Sequence, residues 1–135
     1  MLRLVALVLL IPLAATAACA PVRGEVPTFP VNTDFDIAVG GMARIQDSPL
    51  LVRFDTVTED SRCPADVECV WEGNATARTT IDSAGTAVVA NFRTSRSEPV
   101  SVFGWTFELR NLRPARTTQS VPKPRDYVIT LRAIR

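Results

Sequence analysis

Residues 70–81 read VWEGNATARTTI, and apolar or small residues alternate there with polar ones at every second position. One face would carry Trp71, Gly73, Ala75, Ala77, Thr79 and Ile81, opposite Glu72, Asn74, Thr76, Arg78 and Thr80. This period is typical of a strand with one buried face. The turn signal DSAG at 82–85 follows, and TAVVANF at 86–92 alternates again. The stretch therefore predicts two adjacent antiparallel strands.

The same alternation recurs on both sides of this pair. It indicates strands within 35–39, 42–45, 50–57, 104–110 and 127–133. Gly40-Gly41 is a turn signal, and the polar, proline-rich stretch 114–124 predicts a loop before the last strand. No segment has a convincing helical period. We therefore expect an all-β fold over residues 35–135, a single antiparallel β-sandwich or open barrel of six or seven strands.

Composition limits the function classes. The 135 residues suit one ordinary domain, with 15 Lys+Arg against 14 Asp+Glu and no histidine. This near-neutral balance argues against a nucleic-acid binder that works by bulk charge. The missing histidine excludes Ser-His-Asp and Cys-His catalysis and any histidine-ligated metal. We expect no cofactor and no metal.

The N-terminus predicts export. Residues 1–18 place Arg3, a ten-residue apolar run and small residues in the order of a secretory signal peptide. Cys19 follows two alanines, as in the lipobox of bacterial lipoproteins, so we predict lipidation at Cys19 and membrane attachment. Residues 19–34 hold this cysteine and a proline-rich tether, with an edge strand within 26–31 left open. The alternative is a soluble periplasmic or secreted protein.

Three cysteines need an explanation in an exported chain. Lipidation of Cys19 leaves Cys63 and Cys69 to pair in an oxidising compartment. Their six-residue separation allows a disulfide, whose expected role is to fix a loop. The spacing is not that of a C-x-x-C redox motif, and two thiols without histidine make a poor zinc site.

The stretch VTEDSRCPADVECVWEGNA at 57–75 is the most specific in the chain. It resembles a family of small exported bacterial proteins, mostly lipoproteins, with an E-D-S-R-C-P-x-x-V-x-C-V-W-x-G-x-A segment between two strands. The flanking strands and the last strand, near Tyr127, also resemble that family. The resemblance implies export and a β fold, and it transfers no activity.

Charged residues crowd this loop. The candidate binding residues are Glu59, Asp60, Arg62, Asp66, Glu68 and Glu72. Five carboxylates could suit calcium, or two could act as acid and base in hydrolysis. Alternatively, they form a solvated acidic loop, with Arg62 paired to Asp60 or Glu59, or a patch that faces a partner. We expect Trp71 to pack in the core beside the disulfide, and Trp105 to be buried as well.

These observations favour a non-enzymatic binding or structural module of the bacterial cell envelope. The disulfide-closed acidic loop would be its contact surface, and an envelope protein would be its partner. The alternatives are an inhibitor-like binder of a secreted protease, a calcium-binding domain and a carboxylate-based hydrolase.

Overall fold

The computed structural model describes residues 24–135. The predicted signal peptide, Cys19 and the first part of the tether lie outside the described residues. The strands are β1 Thr28–Phe29, β2 Asp34–Ala38, β3 Met42–Ile45, β4 Leu50–Asp60, β5 Ala75–Ser83, β6 Thr86–Arg93, β7 Val100–Val102, β8 Trp105–Arg113 and β9 Val128–Ile134. A 3-10 helix at Pro124–Asp126 is the one helical segment among these residues. None of the described residues forms a helix that could span a membrane.

The nine strands form two sheets. The first has the order β1-β3-β4-β5-β6 and the second β2-β9-β8-β7. All neighbours are antiparallel except β1 and β3. The two sheets pack against each other and neither closes into a barrel, so the molecule is a β-sandwich. The all-β prediction is confirmed. Nine strands are two more than the upper expectation of seven: β1 lies in the stretch 26–31 where an edge strand was left open, and β7 is too short to show an alternation.

The core lies between the sheets and follows the predicted alternation. Leu50, Val52 and Phe54 of β4 are fully buried. The facing sheet contributes Tyr127 and the inward residues of β9, which were predicted to point inward. Trp105 is 6% exposed, so its predicted burial is confirmed. Burying large apolar side chains of this kind stabilises the fold by roughly 1.5–3 kcal/mol each.

The central strand pair differs from the prediction at one end. Ala75, Ala77, Thr79 and Ile81 are buried as expected. However, β5 begins at Ala75, so residues 70–74 are not in the strand. The predicted core position of Trp71 is wrong, because this residue is 82% exposed. The alternating sequence pattern starts at residue 70, but pairing with β4 starts only at Ala75, which lies opposite Asp60.

Strand β6 is the outer strand of the larger sheet. Its second half buries Ala90 and Phe92, whereas its first half, with Thr86 and Val88, stays exposed. At the opposite edge, β1 lies beside β3 and falls within the stretch where an edge strand was left open. The two edges therefore differ in length and exposure.

Candidate functional site

The loop between β4 and β5, residues 61–74, is closed by the predicted disulfide and is called here the disulfide loop. Cys63 and Cys69 are bonded, with their Cα atoms 5.9 Å apart. Both cysteines lie within the connection, so the bond shapes this loop and does not join the two sheets. A disulfide is typical of an oxidising compartment.

Backbone hydrogen bonds extend the strand pair into the base of the disulfide loop. The Ser61 N–H donates to the Asn74 carbonyl at 2.6 Å, and the Cys63 N–H donates to the Glu72 carbonyl at 2.8 Å. The Ser61 hydroxyl also donates to the Asn74 carbonyl. The two arms of the loop are thus held together up to the disulfide.

Gly73 is required by the close approach of these arms. Its φ is +67°, a backbone conformation that residues with a side chain rarely adopt. A Cβ at this position would lie 1.9 Å from the Ser61 carbonyl oxygen. Any other residue would therefore separate the arms of the loop.

A polar cluster of Asp60, Arg62 and Tyr127 fastens the loop to the sandwich. The Arg62 guanidinium donates two hydrogen bonds to the Asp60 carboxylate, at 2.8 and 2.7 Å. The Tyr127 hydroxyl donates to the same carboxylate at 2.7 Å. The Asp60 and Arg62 side chains are only 7% and 15% exposed. A charged pair this sheltered is stable because hydrogen bonds replace the lost water.

The cluster shifts the pKa values of its members. Burial by itself raises the pKa of Asp60, but the hydrogen bonds from Arg62 and Tyr127 outweigh it and leave that pKa lowered. The hydrogen bond to Asp60 raises the pKa of Arg62. Burial, and then the bond to Asp60, raise the pKa of Tyr127 to about 12. All three groups therefore keep their ordinary charge states at neutral pH, which suits a structural ion pair.

The loop at 114–120 supports the disulfide loop from the side. Arg62 donates to the carbonyls of Leu112 and Pro114, at 2.7 and 2.9 Å. The Arg116 guanidinium donates to the Asp60 carbonyl at 3.1 Å. The Ala65 N–H in turn donates to the Arg116 carbonyl at 2.9 Å. These bonds fix the first arm of the disulfide loop relative to β8.

Asp66 makes a second contact with the same supporting loop. Its carboxylate accepts hydrogen bonds from the Thr118 hydroxyl and N–H, at 2.5 and 2.9 Å. The hydroxyl contact, followed by the N–H contact, lowers the pKa of Asp66. Asp66 therefore acts as a loop anchor rather than a free acid.

The tip of the disulfide loop is apolar and projects into solvent. Val70 is 94% exposed and Trp71 82%, while Val67 is also exposed. Glu68 and Glu72 lie beside them and are exposed as well. Val67, Val70 and Trp71 are therefore the large exposed apolar side chains of this loop.

The predicted loop residues divide into two groups. Asp60, Arg62 and Asp66 hold the loop in place, whereas Glu59, Glu68 and Glu72 face solvent. Asp60 and Glu59 were the two predicted ion-pair partners of Arg62, and in the structure Arg62 pairs with Asp60. Within residues 24–135, no group of three or more acidic, cysteine or histidine side chains could hold a metal. The arrangement therefore lends no support to calcium, and the lowered pKa of Asp60 is the opposite of what a general acid needs.

Sequence reasoning missed Tyr127, Arg116 and Thr118 as supports of the loop. They lie 50 or more residues away from their partners, so no local spacing connects them. The hydroxyl of Tyr127 was one available signal. A tyrosine at an inward position needs a hydrogen-bond partner for that group.

Fold and site together define a small all-β sandwich that carries a rigid, disulfide-closed loop with an exposed aromatic tip. No family model, no curated protein and no solved structure matches the chain. The resemblance to exported bacterial lipoproteins therefore stays a prediction.

Proposed function

We propose that this protein is an exported, lipid-anchored module of the bacterial envelope that binds a protein partner through the tip of its disulfide loop. It acts by binding and not by catalysis. The exposure of Trp71 on a braced loop is the observation that carries this proposal. Val67 and Val70 are exposed on the same loop, and a partner that covered these side chains would remove their apolar surface from water.

Rigidity supports a binding role. The disulfide, the paired arms and the Asp60–Arg62–Tyr127 cluster hold the tip before any partner arrives. A preformed loop pays little ordering entropy on association, which leaves more of the contact energy for affinity. Tryptophan is also the residue most enriched among those that dominate binding energy at interfaces.

Attachment supports an envelope location. The predicted lipid on Cys19 would hold the domain at a membrane surface, and multiple acyl chains would make this attachment firm. The tether would place the sandwich close to the bilayer while leaving it free to turn. The disulfide suits the oxidising side of that membrane.

Affinity capture from an envelope extract tests the proposal. The bait is the mature chain from Ala20 onward, compared with Trp71→Ala and with the double variant Glu68→Gln, Glu72→Gln. Asp60 and Asp66 stay unchanged because they hold the loop. Val121→Ala, at an exposed valine just after the loop at 114–120, is the matched control. We expect a partner that the native and control baits retain and Trp71→Ala loses.

Fluorescence of Trp71 provides the direct readout. The chain has two tryptophans, so a Trp105→Phe background leaves Trp71 as the reporter. The captured partner should shift its emission to the blue and protect it from acrylamide. Equal capture by native and Trp71→Ala baits would move the contact to the sheet faces or edges and contradict the proposal.

The exposed peptide Val70–Trp71 supports one second candidate, a protease inhibitor. This peptide follows the disulfide directly and precedes the constrained Gly73, so both of its ends are held. An aromatic residue at the tip would suit a protease that cleaves after large aromatic side chains. Stoichiometric inhibition of chymotrypsin by the native chain, lost in Trp71→Ala, would favour this role. Rapid cleavage at the loop without inhibition would exclude it for this enzyme.

A further inference from the structure

The four sheet edges are protected unequally. Strand β1 has two residues between Pro27 and Pro30, and β7 has three residues after Pro99. On β2, Asp34 and Asp36 alternate with apolar residues and form ion pairs. Short length, proline and charge are the usual ways of preventing edge pairing.

Strand β6 has none of these protections. It is eight residues long, and 86–92 contains neither charge nor proline. Val88 and Val89 are 38% and 49% exposed in its middle. An edge with these properties is a template for another strand.

The hydrogen-bonding pattern between β5 and β6 shows which backbone groups of β6 are not used by β5. Thr94 donates its N–H to the Ala75 carbonyl at 3.0 Å, in continuation of the regular β5–β6 register. Because these groups alternate along an antiparallel ladder, Val88 and Ala90 also face β5. Ala87, Val89 and Asn91 therefore direct their N–H and C=O groups away from the sheet. Among residues 24–135, no backbone hydrogen bond occupies them outside the ladder.

Charge favours a second copy of the same chain at this edge. Asp82 lies across from Ala87 near the start of β6, whereas Arg93 ends the strand and Arg96 follows it. Antiparallel pairing of two β6 strands brings the acidic end of each copy to the basic end of the other. The middle of β6 is uncharged, so pairing two copies brings no like charges together there.

We propose that two copies of this chain associate through β6 in antiparallel pairing, forming one continuous ten-stranded sheet with Val89 at the two-fold axis. Val89 then pairs with its own copy, and Ala87 pairs with Asn91 of the other. This symmetric pairing uses the same outward backbone groups on both copies, as an isologous contact requires. The two disulfide loops lie at opposite ends of the shared sheet, so the dimer is bivalent for the loop's partner.

Sedimentation equilibrium of the mature chain from Ala20 onward, over a concentration series, tests this association. We expect a monomer–dimer equilibrium for the native chain. Val89→Lys places two positive charges together at the axis and should raise the dimer Kd at least about tenfold. Val121→Lys changes another exposed valine, 66% accessible and away from the edge, and should leave the Kd unchanged.

Charge-swap pairing decides whether the edge recognises its own copy. Val89→Glu alone should weaken dimerisation as Val89→Lys does, whereas a mixture of the two should form a heterodimer. Asn91→Pro removes an outward N–H that β5 does not use, and it should also weaken association. Circular dichroism checks that each variant stays folded.

Three outcomes would overturn the proposal. These are a native chain that stays monomeric throughout, a dimer unaffected by Val89→Lys, and the absence of heterodimer in the mixture. A monomer that instead captures an extended foreign peptide at β6 would assign this edge to another protein. Because the loop variant Trp71→Ala leaves β6 intact, dimerisation and loop binding can fail independently.

Discussion

At the scale of single residues, the two tryptophans have opposite environments. Trp105 packs in the core and is only 6% exposed, and the Arg135 guanidinium lies 5.4 Å from its ring centroid. Trp71 leaves the core entirely because the chain departs from the strand before Ala75. The residue is the same, but its energetic role depends on whether its strand continues.

Substituting each tryptophan by alanine should separate these roles. Trp105→Ala removes a buried ring and should cost about 3–5 kcal/mol of unfolding free energy. Trp71→Ala should change it by less than about 0.5 kcal/mol, as exposed substitutions usually do. Urea denaturation followed by circular dichroism measures both. A loss of several kcal/mol in Trp71→Ala would show that the ring packs on the protein after all.

Gly73→Ala should destabilise the protein more than Gly85→Ala. Both glycines have positive φ, so each substitution incurs backbone strain of roughly 1–2 kcal/mol. A Cβ at Gly85 meets nothing within 4 Å, whereas at Gly73 it collides with the Ser61 backbone. Urea unfolding should therefore show a clearly larger loss for Gly73→Ala. Equal losses would mean that the loop arms separate at no cost.

At the scale of elements, the disulfide loop is fixed by contacts that are distant in sequence. Asp60 ends β4, Arg62 is the second residue of the loop and Tyr127 directly precedes β9. Their cluster connects the first sheet, the loop and the second sheet at one end of the sandwich. This arrangement makes the orientation of the loop dependent on the charge of Asp60.

Acid should weaken this connection. The pKa of Asp60 is lowered from its ordinary value of 3.8 in the folded state. Its contribution to stability is therefore present above about pH 4 and is lost as pH falls through the lower folded value. Asp60→Asn should lose roughly 2–3 kcal/mol at neutral pH and show a flatter acid limb. Urea titrations between pH 2 and 7 compare the two proteins, and parallel acid limbs would contradict this assignment.

At the scale of the whole molecule, stability and recognition lie in different places. The core runs between the two sheets and includes no residue of the disulfide loop. The disulfide closes a short connection at one end of the sandwich. Binding surfaces at the loop tip and at the β6 edge can therefore change without altering the core.

Removing the disulfide should leave the sandwich folded. Cys63→Ser with Cys69→Ser frees a short loop, so the expected loss is about 2–3 kcal/mol. Circular dichroism should keep its β spectrum, while the loop tip becomes more mobile and binds its partner more weakly. Complete unfolding of the double variant would show that the bridge supports the core itself.

Much of the fold could be predicted from alternation alone. The inward positions of β4, β5, β8 and β9 follow from side chains that point to opposite faces at every second residue. The bond between Cys63 and Cys69 followed from their number and spacing. Strand β7 escaped detection because three residues show no period, whereas β1 lies in the stretch 26–31 where an edge strand was left open.

The sequence by itself determined the all-β class, the core residues of the long strands and the closed loop, because these depend on local periodicity and short spacing. Only the tertiary structure decided that Trp71 projects outward, that Asp60 is an anchor and that β6 is an open edge. Each of these depends on which distant segments meet. The end of β5 is set by pairing with β4, the role of Asp60 by Tyr127, and the exposure of β6 by the order of strands in the sheet.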